Sequence, residues 1–155
     1  MFAEFDRSNF PIVKVVMNGG PENDTDFDNF LNEWVKLYDE QNDFIFVFDT
    51  KNVKNPPLKY SIKMSQFIKN LRKKEYQYLQ KSIILINSNK VKWMLDFIFL
   101  IQPPVAPVYI YNINDGIINN IELINNIELI NNINLIINHP ETSYVEPNKP
   151  FLPLF

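Results

Sequence analysis

The chain has 155 residues, a net charge of −3, 46% hydrophobic and 14% aromatic residues, and no cysteine. The length suits one domain, and thirteen Phe and two Trp supply a sizeable core. This composition excludes a disulfide framework, a thiol nucleophile and any Cys-based metal site, and its acidic balance argues against a polyanion binder.

Two short extended runs open the chain, Phe2 to Asp6 and Ile12 to Met17, separated by Arg7-Ser8-Asn9. β-Branched residues dominate the second, and the two read as an antiparallel pair of strands that ends at Gly19-Gly20-Pro21. An acidic stretch, Glu22 to Asp26, then leads into Phe27, Phe30, Leu31, Trp34, Val35 and Tyr38. That spacing predicts an amphipathic helix with one apolar stripe, capped by Asp24 or Thr25, its first-turn acids matching the positive end of the helix dipole. Phe44 to Phe48 (FIFVF) is apolar at every position, as a strand buried on both faces must be. Pro56-Pro57 starts a second helix, expected to run to about Gln80 with Tyr60, Met64, Ile68, Leu71, Tyr78 and Leu79 on its inner side. Ser82 to Ile86 (SIILI) is a second buried strand. Lys90 to Gln102 is a third helix, stopped by Pro103-Pro104, and Pro107 to Tyr111 (PVYIY) is a third buried strand.

A near-perfect hexapeptide repeat follows, NNIELINNIELINNINLI, from Asn119 to Ile136. Six residues advance an α-helix by about 600°, so successive copies cannot form a single stripe. Asn, Ile and Lys share AT-rich codons, and the simplest reading is a closing helix lengthened by duplication of biased DNA. Its Ile and Leu side chains still need burial, so it is expected to pack as a long helix across the sheet or against a second copy of the chain. The tail, residues 139–155, carries four prolines and no periodicity and reads as an extended arm. Buried strands alternating with amphipathic helices imply right-handed crossovers. The expected fold class is α/β, a mostly parallel sheet of about five strands with helices on both faces, in one domain over residues 1–138.

This order of elements, a buried strand ending in Asp49, and the segment KWMLDFIFLIQPPVAPVYIYN resemble the STAS / SpoIIAA-like superfamily of anti-sigma-factor antagonists. The resemblance covers roughly Phe2 to Ile124, and the stretch from Lys92 to Tyr111 carries most of it. It implies a non-enzymatic protein-interaction or self-association module that docks one face onto a partner. The regulated members carry Asp-Ser-Ser-Gly at the start of the second helix. Here NPPLKYSIKMS stands in that region, with Ser61 and Ser65 inside the helix, so phosphoregulation does not carry over. The CRAL-TRIO fold is similar in topology and implies instead a small apolar-ligand or lipid-binding protein.

The residues themselves offer little catalysis. His139 is the only histidine, so neither a metal cluster nor a His-based triad has enough parts. Gly19-Gly20 belongs to no phosphate-binding motif. Asp49 ends a central strand, where open α/β sheets take ligands, with Asn87, Ser88 and Asn112 ending the neighbouring strands. A lone carboxylate is, however, more often the cap of a turn than a catalyst. The lysines around the second helix are more simply a solvated face than a nucleic-acid site. The third helix is different. Val91, Met94, Leu95, Ile98 and Ile101 make one apolar stripe, and Trp93, Phe97 and Leu100 make a second on another side. A helix apolar on nearly every side needs a cover on nearly every side, supplied here by the tail segment PFLPLF, a second copy, a protein partner or a lipid. Trp93, Phe97, Leu100 and Asp49 are therefore the candidate partner- or ligand-binding residues, with no catalytic residue, metal, cofactor or nucleic acid expected. The start MFAEFDRSNF has no signal-peptide pattern, and Trp93 to Ile101 is far short of the roughly 20 residues of a membrane span. A cytoplasmic protein is expected.

Overall fold

The computed structural model describes residues 2–115 and 128–147. Among them run β1 (Ala3–Asn9), β2 (Ile12–Met17), α1 (Asp24–Asp39), β3 (Phe44–Asp49), α2 (Leu58–Leu71), β4 (Leu79–Ile86), α3 (Asn89–Ile101), β5 (Val108–Asn112), α4 (Glu128–Ile137) and β6 (Ser143–Val145). The six strands form one sheet whose spatial order follows chain order. β2 to β5 are parallel, and an antiparallel strand closes each edge, β1 beside β2 and β6 beside β5. The fold is α/β, as expected, with one strand more than the sequence reading counted.

The topology decides where the helices lie. When parallel strands follow one another in sequence, right-handed crossovers place every connecting helix on the same face. Accordingly α1, α2 and α3 bury Trp34, Ile68 and Leu95 together with Phe44, Phe46 and Phe48 in one large core. The intervening residues of the same strands face the other way. Val47, Ile83, Leu85 and Tyr111 form a smaller core that is covered by Ile133 and Ile136 of α4. Thus FIFVF is apolar throughout because both its faces are occupied. The larger core is an aromatic lattice. Phe46 lies 4.7 Å from Phe48, 4.8 Å from Trp34 and 5.1 Å from Phe44, measured between ring centroids.

Several boundaries differ from the sequence reading. Asn23, not Asp24 or Thr25, caps α1, accepting from the Asp26 N–H at 2.9 Å, while the Asp26 carboxylate accepts from the Glu22 N–H at 3.0 Å. Together the two side chains satisfy two backbone N–H groups, one inside the helix and one just before its cap. α2 stops at Leu71 rather than near Gln80, and the side-chain amide of Gln77 donates to the Leu71 carbonyl at 2.9 Å. Tyr78 and Leu79 therefore belong to the approach to β4 and to the strand itself, and not to a helix face. Within residues 139–155, read as an arm, Ser143–Val145 pairs with β5 and completes the sheet. Of the repeat, α4 holds the last copy, and 119–127 lie outside the described residues, as does the segment 148–155.

Gly19, at φ 72°, makes the left-handed turn that ends β2. Gln41 adopts φ 59° just after the C-cap of α1, a position where glycine is strongly preferred. Gln41→Gly is expected to stabilise the fold by about 1 kcal/mol through relief of that conformation, read as a higher denaturant midpoint. An unchanged or lower midpoint would count against the assigned turn.

Candidate interaction face

α3 is anchored inward by Val91, Leu95 and Ile98, all buried. Its first turn is fixed by Ser88, whose hydroxyl accepts from the N–H groups of Lys90 and Val91. The second stripe stays outside. Trp93 is 61% exposed and Leu100 51%, and Phe97 is partly buried with its ring stacked on Trp93 at 5.6 Å and 12°. Ile101 is exposed as well. On the flank toward Asp96 the stripe is bounded by the Lys92–Asp96 ion pair at 2.6 Å.

The surface continues onto α2. Two small residues let the helices approach closely: Ser61 and Ser65 are buried, and the Ser65 hydroxyl donates to the Ser61 carbonyl at 3.0 Å and to the Ile98 carbonyl of α3 at 3.3 Å. These serines are packing residues. With the helices so close, Leu58 and Ser61 share a groove with Trp93 and Met94, bridged at one end by Lys90 Nζ donating to Asn55 Oδ1 at 2.6 Å. Ile62, one turn beyond Leu58, is also exposed. The sequence reading missed Leu58 and Ile62. The available signal was an apolar i, i+4 pair standing off the inner stripe of Tyr60, Met64 and Ile68.

Asp49 does not join this face. It is 3% exposed, in β3 beside Val47, and its carboxylate accepts from the Lys51 N–H at 3.1 Å, the turn-capping geometry of an aspartate at a strand end. The polar groups at the neighbouring strand ends have local duties too. Asn112 Oδ1 accepts from the Asn114 N–H, and the Asn87 carbonyl accepts from the Asn114 side chain. His139 lies edge-on to Tyr111 at 5.3 Å, with Nδ1 accepting from the Glu141 N–H. Among the described residues no group of His, Asp and Glu could hold a metal ion. Lys59 and Lys63 of the basic helix pair with Asp24 at 3.2 and 3.6 Å, joining the acidic start of α1 to the basic start of α2. The hydrogen bond from Lys59 holds the Asp24 carboxyl below its usual range. No helix among the described residues is long and apolar enough to cross a membrane.

The fold and this face together define an α/β protein with an apolar outer surface shared by two helices. Comparison with protein-family models, with curated proteins and with solved structures finds no match.

Proposed function

We propose that the chain is a non-enzymatic interaction module of STAS-like type that docks through the outer face of α2 and α3, with a second copy of itself as the first partner. One observation carries this reading: large apolar side chains, Trp93, Leu100, Ile101, Leu58 and Ile62, are exposed on two adjacent helices. Exposed apolar surface of this kind marks contact sites, and tryptophan is among the residue types that most often dominate binding energy. The small-residue contact through Ser61 and Ser65 supports it, because it gives the two helices one firm common surface.

Sedimentation velocity over a concentration series tests the reading. The full chain is expected to form dimers, and the double substitution Trp93→Ser/Leu100→Ser to weaken the dimer about a hundredfold or more, as loss of two central apolar anchors does. A photo-reactive residue at position 93 is expected to link two copies. A chain that stays monomeric throughout, or one that cross-links only to its own 148–155 segment, would overturn self-association through this face.

A further inference from the structure

A second apolar feature lies inside the molecule, between the sheet and its three crossover helices. It is a cavity of about 140 Å³, walled by α1 (Phe27, Trp34), the strands (Met17, Ile84) and α2 and α3 (Met64, Met94). Close-packed interiors hold few voids larger than a water molecule, so a cavity of this size needs a reason. Its lining includes no charged residue. The Thr50 hydroxyl, one of few polar groups there, is already committed to the Leu85 carbonyl at 2.7 Å. Polar groups are few in the lining, and an apolar cavity of about this volume accepts a benzene-sized molecule.

Three further observations point to an occupant. All the methionines beyond Met1, namely Met17, Met64 and Met94, line the cavity. Methionine's unbranched, polarisable side chain adapts to a guest better than any branched aliphatic does. Trp34 also lines it, is 6% exposed, and its indole N–H has no hydrogen-bond partner among the described residues. A buried donor of that kind ordinarily finds an acceptor. Finally, the cavity reaches partly exposed Pro21 and Pro56 in the loops after β2 and β3, at the carboxyl ends of the parallel strands, where it has a mouth.

We infer that this cavity binds a small uncharged apolar molecule, a single aromatic ring or an alkyl chain of about six to eight carbons, with room for one hydrogen-bond acceptor. A fatty-acid carboxylate or a phosphate finds no cation in the lining. The cavity shares Pro56, Ser61 and Met94 with the outer groove, but other walls, Met17 and Trp34 among them, belong to the core, so the inference does not rest on the docking reading.

The test uses the full chain carrying ¹³C-methyl methionine, titrated with toluene, with benzyl alcohol and with octanoate. Toluene and benzyl alcohol are expected to move the methyl resonances of Met17, Met64 and Met94 saturably, and octanoate to bind at least tenfold more weakly. Ser82→Leu, which adds bulk to the lining, is expected to weaken toluene binding at least tenfold. Should that variant fail to fold, the wild-type titration decides alone. Three methyl signals unmoved at the aqueous solubility limit of toluene would identify a packing void and end the proposal. Equal binding of octanoate would overturn the uncharged ligand class.

Discussion

Truncation of Phe46 to alanine is expected to remove about 3–5 kcal/mol of folding stability, the range for deleting a fully buried phenylalanine. Phe46 is completely buried in the middle of β3 and touches the rings of Trp34, Phe44, Phe48 and Phe5. Two costs add. The side chain loses its transfer free energy, and its neighbours are held by the sheet on one side and α1 on the other, so they cannot collapse into the space. Domains of this size are stable by about 5–15 kcal/mol, so the variant would be marginal at ambient temperature. Denaturant unfolding followed by tryptophan fluorescence measures it, because Trp34 sits 4.8 Å from the deleted ring. A loss below about 1 kcal/mol would mean that β3 is not central to the sheet.

The second large effect concerns the repeat. Ile136 is 1% exposed and packs with Val47, Ile83, Leu85 and Tyr111, whereas Leu135, its neighbour in sequence, is half exposed. Ile136→Ala is expected to cost about 2–5 kcal/mol, and Leu135→Ala less than about 0.5 kcal/mol. The contrast tests whether the last copy of the hexapeptide is a structural part of the fold. Equal small losses would make it a passenger. Physically the result turns on the sheet: its second face is apolar, and a sheet buried on both sides needs a cover on both sides.

Much of the fold was readable because few residues could serve two purposes. FIFVF, SIILI and PVYIY contain β-branched and aromatic residues at nearly every position, and α1 and α3 carry stripes at helical spacing. The reading failed where local preference was silent. From Arg72 to Gln80 there is no glycine or proline, and Arg, Lys, Glu and Gln are good helix formers. The end of α2 is set instead by Gln77 folding back on the Leu71 carbonyl and by pairing of Leu79 with Phe44, neither of which periodicity can report. β6 exists only because β5 offers it an edge. At the candidate face, the second stripe of α3 was legible as surplus apolar surface. Leu58 and Ile62 were legible only as an apolar pair off the inner stripe of α2, because their significance depends on how closely Ser65 lets α2 approach α3. The cavity was not legible in the residues themselves, since each of its walls reads as ordinary core and the space exists only in their mutual arrangement. Only the CRAL-TRIO likeness, with the apolar ligand it implies, pointed to an internal space beside α3.

The placement of all three crossover helices on one side of the sheet has a consequence for biosynthesis. By the time β5 has left the ribosome, the α1–α3 side can close, but Val47, Ile83 and Leu85 on the reverse still face water. Their cover ends at Ile137, roughly 25 residues after Asn112, which takes about one to five seconds of translation at ordinary rates. During that interval the nascent chain presents an apolar surface whose lid, Ile133 and Ile136, is still to be synthesised.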